Sequence, residues 1–204
     1  MAKQKRVTST QAVTKNQNSY LGRRALAFIV DYIVTNRLSL FVTGIVYGML
    51  NKGDIQVLKG FENIPAGQII ILLISVLVVH GFYFVFLPAK ITGGSTMMQK
   101  VMQVKVVRQD ATPATFKDFL LRYYVGSLVC EGIFYDAFAV ILNGVFFGIF
   151  QAGSISRIIY AISAITAIAS LIFALLDKGQ YRFFHDRIAK TYMKDEFVSN
   201  GKVF

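Results

Sequence analysis

The sequence predicts an all-α protein, a polytopic membrane helix bundle of four transmembrane helices with both termini in the cytoplasm. Two observations lead to this prediction. Hydrophobic residues make up 54% of the 204 residues, and they gather into runs long enough to cross the hydrocarbon core of a bilayer. The chain nevertheless carries 22 basic and 11 acidic residues, a net charge of +11. Basic charge in such an apolar chain is typical of membrane proteins with basic loops and ends.

The four predicted spans cover about 25–50, 69–87, 123–149 and 155–176. The second span is the cleanest, and at about 1.5 Å per residue it extends roughly 28 Å, close to the ~30 Å hydrocarbon thickness. The third span would measure roughly 40 Å as a straight helix, so it must tilt or protrude. We interpret it as one helix, with a broken or re-entrant start as the alternative.

The distribution of charge predicts which ends of the spans face the cytoplasm. Residues 1–24, the loop 88–122 and the C-terminal end are rich in Lys and Arg, whereas the loop 51–67 balances its basic and acidic residues. The positive-inside rule therefore places both termini and the middle loop in the cytoplasm. Within these segments we predict a disordered basic tail over 1–19 and a C-terminal tail over 194–204. Because the loops account for the basic charge, we expect the lipid bilayer as the partner and no nucleic acid.

Shorter patterns predict how the loop after the second span folds and how the helices pack. Alternating residues from Gln103 to Arg108 predict a short strand, and residues 97–102 an interfacial helix. GIVYG at Gly44 and GVFFG at Gly144 are small-xxx-small patterns. Such patterns place small residues on one helix face and let a neighbouring helix approach closely.

The sequence contains no recognisable catalytic or metal-binding constellation. Cys130 is the only cysteine, which excludes an internal disulfide and a cysteine metal cluster. The two histidines, His80 and His185, lie in different segments without metal-ligand spacing. GGST at Gly93 lacks the Gly-Lys-Ser/Thr ending of a phosphate-binding loop. We therefore expect no enzyme activity, no cofactor and no bound metal.

Several ionisable side chains fall inside the predicted spans, where an ionised group costs about 2.5 to 3.5 kcal/mol on insertion scales. Asp31 lies in the first span, in the stretch RRALAFIVD, and the others are Arg37, His80, Glu131 and Asp136. These side chains either line a hydrated path for a cation, proton or small solute, or hold the helices together through buried polar contacts. The residues alone leave both interpretations open.

The spacing within RRALAFIVD gives Asp31 a position relative to the basic residues. Arg24 and Asp31 project from nearly one helix face, roughly 10 Å apart along the axis, which is too far for a certain direct ion pair. Arg37 lies about 240° round the helix from Asp31. If Asp31 is paired, we therefore expect its basic partner to be Arg122 or Arg187, both near the cytoplasmic face.

RRALAFIVD is similar to the opening of the RDD family of bacterial multi-pass membrane proteins, in which an arginine precedes the first span and an aspartate lies within it. GGSTMMQKVMQVKVVRQD resembles the family's segment that begins Gly-Gly-x-Thr, and LLRYY contains Arg122 before the third span. FFHDRIAKTYM resembles the family's closing His-Asp-x-x-Ala-x-Thr. The resemblance covers residues 20–193. The chain departs from the family pattern at Met98, Gln99 and Gln103, which replace Gly-Lys and a further glycine.

The resemblance implies a transporter of the cell membrane, since some RDD proteins are linked to sodium-proton antiport. Our leading hypothesis is a small-cation or proton-coupled transporter that works as a homo-oligomer, with Asp31 as the exchangeable carboxylate. Arg24 and Asp186 would shape its cytoplasmic mouth. The alternative is a non-transporting membrane scaffold or assembly partner. The candidate site residues are Arg24, Asp31, Arg122 and Asp186, and the secondary candidates are Arg37, His80, Glu131 and Asp136.

Overall fold

The computed structural model describes residues 2–53, 64–177 and 179–199 of the chain. Its side chains are described from residue 19 onward, apart from Asp136 and residues 198 and 199. The side chains of the predicted basic tail lie outside this part, as does the end of the predicted C-terminal tail. The described backbone of residues 2–19 is helical, which differs from the disorder predicted there, while the C-terminal tail stays a prediction.

The described chain consists mainly of helices, with one small sheet. In chain order the elements are α1 (Ala2–Leu50), α2 (Ala66–Gly81, extended in π-helical form over Phe82–Ile91), α3 (Met97–Val101), β1 (Val104–Arg108), α4 (Phe116–Leu120, extended in π-helical form over Leu121–Cys130), a 3-10 turn (Gly132–Phe134), α5 (Asp136–Leu142, extended in π-helical form over Asn143–Ile149), α6 (Gly153–Leu176), α7 (Phe184–Ile188), β2 (Thr191–Asp195) and α8 (Glu196–Ser199).

Three described helical segments are long and apolar enough to cross a membrane. They are Ser19–Leu50 within α1, Ala66–Ile91 and Gly153–Leu176. A shorter apolar helix, Ala137–Ile149, lies in the region of the predicted third span. Many leucine, isoleucine and phenylalanine side chains on these helices are exposed, as expected where lipid replaces water. The prediction of an all-α membrane helix bundle is confirmed.

The predicted third span is not one continuous helix. The extension of α4 ends at Cys130, Glu131 leaves the helical backbone with a φ of −122°, and the chain passes through the 3-10 turn before α5 begins. A partner on α6 satisfies a backbone group freed by this break, because the Ile133 N–H donates a hydrogen bond to Ser163 Oγ at 3.0 Å. An interruption at this depth is tolerated when neighbouring helices satisfy the backbone. The single-helix interpretation is wrong, and the broken alternative fits the structure.

A small polar layer lies at one end of the helix bundle, and we define it as α3, β1, α7 and β2. The two strands pair antiparallel, with Val104 opposite Asp195. This pairing confirms the strand predicted over 103–108, and α3 confirms the predicted helix that precedes it. The Tyr20 hydroxyl at the start of the first candidate span donates to the Met193 carbonyl at 2.6 Å. This hydrogen bond joins the polar layer to α1.

Close packing joins the helices beyond the polar layer. α1 packs along α2, and α5 packs against α2 as well. Gly144 lies against Leu73 of α2, where an added Cβ would come within 2.9 Å of the leucine side chain. The close approach predicted for GVFFG is thus confirmed. At the far end of the bundle, away from the polar layer, the side chains of Asn51 and Gln68 hydrogen bond at 3.3 Å.

Candidate functional site

Asp31 is buried on α1, about two turns beyond Arg24, and is 2% exposed. Its Oδ1 accepts hydrogen bonds from the Tyr83 hydroxyl at 2.5 Å and from the Met98 N–H at 3.1 Å. Its Oδ2 accepts a hydrogen bond from the Thr96 hydroxyl. All three donors are neutral. They satisfy the oxygens of the carboxylate but supply no counter-charge.

The basic residues expected as partners of Asp31 form ion pairs with other carboxylates. Arg122 pairs with Asp186, and Arg187 pairs with Asp177 at 3.3 Å. Within the described residues, Asp31 has no ion-pair partner. The expected pairing is wrong because α7 and the segment before it place two other carboxylates directly beside these arginines.

Asp186 of α7 binds two arginines and is fully buried. Arg24 reaches it from α1, with the guanidinium 2.8 Å from Oδ2, and Arg122 reaches Oδ1 from the extension of α4. Arg24 also donates to the Tyr181 carbonyl at 2.7 Å and lies 4.7 Å from the centre of the Phe183 ring. The carboxylate thus links three segments. Without it, two guanidinium groups would lose their shared counter-charge inside the protein.

Glu131, at the break after α4, pairs with His185 of α7. Its Oε2 lies 2.6 Å from His185 Nδ1, and its Oε1 accepts a hydrogen bond from the Ser170 hydroxyl at 2.5 Å. Burial lowers the pKa of His185 from 6.5 to about 4, so the imidazole is neutral at neutral pH. In that state Nδ1–H donates to Glu131, and Nε2 accepts a hydrogen bond from Arg122 at 3.1 Å.

A cavity of about 470 Å³ joins these groups. Its ionisable lining side chains include Arg24, Asp31, Arg122, Glu131 and His185. Most of the remaining wall is aromatic or aliphatic, as in typical small-ligand sites. Side chains of α3, β1 and β2 also line the cavity. The cavity therefore extends from the polar layer to the Asp31 carboxylate.

The ionised groups at and beside this cavity do not balance. The cluster contains two arginines, Arg24 and Arg122, and three carboxylates, those of Asp31, Glu131 and Asp186, while His185 is neutral. With all three carboxylates ionised, these groups carry one net negative charge. Excess charge of this kind is costly in a largely apolar site.

A comparison with protein-family models matched the model of the RDD family over residues 19–190. The chain belongs to the RDD family. The comparisons with curated proteins and with solved structures gave no match. The resemblance seen in the motifs is thus confirmed, and it covers nearly the whole of the described chain.

The Gly-Gly-x-Thr segment of this RDD protein forms a turn that places the Thr96 hydroxyl beside the Asp31 carboxylate. Gly93 and Gly94 have φ values of +70° and +112°, a backbone region that glycine adopts at low cost. An added Cβ on Gly94 would also come within 2.9 Å of the Val106 carbonyl oxygen. Thr96 then begins α3 and points its hydroxyl at the Asp31 carboxylate. The two glycines therefore permit the backbone turn that holds Thr96 against Asp31.

The departures from the RDD pattern have different structural consequences. Gln99 supplies a useful contact, because its side chain accepts a hydrogen bond from the Thr96 N–H at 3.0 Å and completes a capping box. Gln103 has a φ of +55°, in the left-handed region that costs a side chain about 1 to 2 kcal/mol. Its Oε1 is also buried without a hydrogen-bond partner among the described residues. A glycine at position 103 would avoid both costs.

The closing motif of the RDD family makes most of the remaining contacts at the site. His185 and Asp186 bind the groups described above, and Thr191 is fully buried. The Thr191 hydroxyl oxygen accepts a hydrogen bond from Arg122 at 3.1 Å. Gly126 on the extension of α4 lies so close to α7 that an added Cβ would collide with the His185 backbone. Close helix approach therefore positions the motif beside the cavity.

The other predicted candidates lie away from this cluster. Arg37 is exposed on α1. His80 is 1% exposed, and its Nδ1 lies 2.7 Å from the Tyr123 hydroxyl. Neither side chain lines the described cavity. The side chain of Asp136 lies outside the described residues.

Three residues that bind carboxylates at the site were not among the candidates chosen from the sequence. Tyr83 sits in the aromatic run FYFVF, and Ser170 sits in a run of alanine, isoleucine and serine, so neither differs visibly from its neighbours. Thr96 could have been chosen, because Thr followed three residues later by Gln is the spacing of a capping box. What singles out all three is their contact with a carboxylate on another segment of the chain.

Proposed function

We propose that this RDD protein is a multi-pass transporter of the cell membrane, and not an enzyme, that carries a monovalent cation or a proton. Asp31 is the group that binds the transported ion. The observation that carries this proposal is that Asp31 is a buried carboxylate whose donors among the described residues are all neutral, beside a cavity that leads to the polar layer. By the positive-inside rule, that layer faces the cytoplasm.

The surroundings of Asp31 suit either ion. A proton on the carboxylate removes the charge directly. A cation would instead find oxygen ligands in the carboxylate and in the hydroxyl groups of Tyr83 and Thr96, and hard cations prefer such ligands. Since the cluster has one excess negative charge, proton and cation would compete for one site. That competition would couple the movement of one ion to the movement of the other.

The other charged residues have supporting roles in this proposal. Arg24 and Asp186 fix the cytoplasmic side of the cavity and join α1 to α7. Arg37 is exposed on α1, where lipid would surround its guanidinium. Contact between copies of the chain would remove that group from lipid, which supports the expectation of a homo-oligomer.

The test uses the purified chain reconstituted into liposomes that contain a pH-sensitive dye. An outward or inward sodium gradient should change the internal pH for the wild type and not for Asp31→Asn. Asp177→Asn is the matched control, because Asp177 pairs with arginines away from Asp31 and should transport normally. Normal flux through Asp31→Asn would contradict the proposal, as would the absence of flux in the wild type under sodium, potassium and pH gradients.

A scaffold or assembly role is the second candidate. It is favoured by the fact that the Asp31 carboxylate joins α1 to Tyr83 of α2 and to the start of α3. In that case Asp31→Asn would lower the thermal unfolding midpoint, and the wild type would show no ion flux. The same two measurements therefore separate the candidates.

A further inference from the structure

Beyond Asp31, α1 carries a row of buried hydroxyl groups toward the far end of the bundle. Thr35, Ser39 and Thr43 follow Asp31 at four-residue steps and are 1%, 7% and 9% exposed. Each step advances about 6 Å along the helix. The row therefore begins where the cavity ends, since none of its three members lines that cavity.

The hydroxyl groups in this row present acceptor oxygens. The Thr35 hydroxyl donates to the Asp31 carbonyl at 2.6 Å, and the Thr43 hydroxyl donates to the Ser39 carbonyl at 2.7 Å. These bonds direct the hydroxyl hydrogens to the backbone of α1 and leave oxygen lone pairs available. Neutral oxygens of this kind are suitable ligands for a hard cation or for water.

A second and independent observation concerns two buried polar side chains on α1 and α2. Asn36 and His80 are 7% and 1% exposed, yet Asn36 Oδ1 and His80 Nε2 have no hydrogen-bond partner among the described residues. A buried polar atom without a partner costs about 1 to 3 kcal/mol. These two atoms would be stabilised by a polar guest, such as water or a hydrated ion.

The two unpartnered side chains lie at nearly the same depth. From the hydrogen bond between Asp31 and Tyr83, Asn36 lies five residues along α1 and His80 lies three residues back along α2. Because these helices are antiparallel, both positions lie in the same direction, at about 7.5 Å and about 4.5 Å. They therefore mark one level just beyond Asp31, where the hydroxyl row begins.

We propose that the ion bound at Asp31 crosses the other half of the membrane along the row Thr35, Ser39 and Thr43, where α1 faces α2. This inference rests on the proposed function and adds the outer part of the path to it. The cavity reaches Asp31 from the polar layer, and it does not extend along the row. A small movement of α1 relative to α2 would admit water to the hydroxyl groups. That water would also form hydrogen bonds with Asn36 Oδ1 and His80 Nε2.

The test measures water access directly and does not require transport. Single cysteines replace Ser39 or Thr43 in a chain whose own cysteine is removed by Cys130→Ser. Intact cells are treated from outside with a charged, membrane-impermeant methanethiosulfonate, and loss of the free thiol is measured after purification. Leu40→Cys and Phe41→Cys are the matched controls, because these neighbouring side chains are 39% and 67% exposed on the lipid-facing side of α1.

We expect loss of the free thiol at positions 39 and 43 and no loss at positions 40 and 41. Asn51→Cys, at the far end, is the positive control for the reagent. If position 51 reacts and neither 39 nor 43 does, the proposed path is wrong, and equal reaction at 39, 40, 41 and 43 would also contradict it. Each variant is checked for a wild-type unfolding midpoint, and Thr35→Cys replaces any that fails.

The proposed path and the proposed function can be contradicted separately by these experiments. The expected thiol pattern supports the path even if reconstituted protein shows no sodium or proton flux, and that outcome would overturn only the proposed function. Conversely, flux that depends on Asp31 without any reaction at positions 39 and 43 would keep the function and overturn this path.

Discussion

Asp31 and Asp186 are both buried carboxylates, but their partners give them different roles. Asp186 faces two guanidinium groups, so its charge is fixed by electrostatic attraction. Asp31 faces two hydroxyl groups and one backbone N–H, and these satisfy its oxygens without neutralising it. These contacts support the proposed ion binding at Asp31 and a structural role for Asp186.

Asp186→Asn tests the structural role. The substitution leaves Arg24 and Arg122 buried without their shared counter-charge, and breaking a buried pair in this way costs about 3 to 5 kcal/mol. We expect a corresponding fall in the free energy of unfolding, measured by circular dichroism in mild detergent. Asp177→Asn removes more exposed ion pairs and should cost less than about 1 kcal/mol. Equal losses in the two variants would contradict the assignment.

His185 predicts how stability depends on pH. Burial lowers the pKa of His185 to about 4, from 6.5 in the unfolded chain, so between these values the unfolded state binds more protons than the folded state. Stability should therefore fall as the pH decreases from 6.5 to about 4, by up to about 1.4 kcal/mol per pH unit.

The variant His185→Asn isolates this contribution. Asparagine keeps an N–H donor near Glu131 but does not titrate in this range. Its unfolding midpoint, measured as a function of pH, should change less than that of the wild type between pH 6.5 and 4. Parallel pH profiles for the two proteins would show that other groups cause the dependence.

At the scale of elements, the break after α4 and the turn before α3 build the site. The break brings Glu131 within reach of α7, and the glycine turn brings Thr96 to Asp31. Both are interruptions of regular structure. Each is stabilised by hydrogen bonds from a neighbouring segment, which is the condition under which irregular backbone persists inside a membrane protein.

Gln103→Gly tests the backbone strain after α3. A glycine relieves the left-handed conformation at φ +55° and removes a buried side-chain oxygen that has no partner among the described residues. We expect the free energy of unfolding to increase by about 1 kcal/mol. The control is Met102→Gly, where the φ of −80° suits ordinary side chains, and which should destabilise the protein. Destabilisation by both substitutions would contradict this interpretation.

At the scale of the whole molecule, the polar layer joins parts of the chain that are far apart in sequence. β1 precedes β2 by more than eighty residues, and both pack near the start of the first candidate span. The layer fixes the ends of three helices at one side of the bundle. Side chains from its elements also line the cavity, so the surroundings of Asp31 depend on segments from both halves of the chain.

The basic charge of the loops predicts the orientation of the molecule. A fluorescent protein fused to the C-terminus should fold and fluoresce, because the positive-inside rule places that end in the cytoplasm. Alkaline phosphatase inserted after Lys52 should be active, since the loop after the first span is expected outside. Activity of the phosphatase at the C-terminus and not after Lys52 would reverse the orientation and the assigned direction of the cavity.

Much of the architecture could be predicted from local patterns. Long apolar runs predicted the helices, since the hydrocarbon core requires a minimum length of apolar residues. The alternation before Arg108 predicted β1, and GVFFG predicted the close approach of Gly144 to α2. The sequence offered an interruption of the third span only as an alternative and could not decide it, because the Ser163 hydroxyl that accepts from the Ile133 N–H lies on a helix distant in sequence.

The sequence by itself determined that this is a membrane helix bundle of the RDD family and that a carboxylate at position 31 lies within its first apolar run. Apolar run length, charge placement and motif spacing are local properties, and they can be read without knowing which segments meet. Only the tertiary structure decided that Arg122 binds Asp186 and that Tyr83 and Thr96 hold Asp31. The partner of a buried charge depends on which donors the packing of distant segments brings within hydrogen-bond distance.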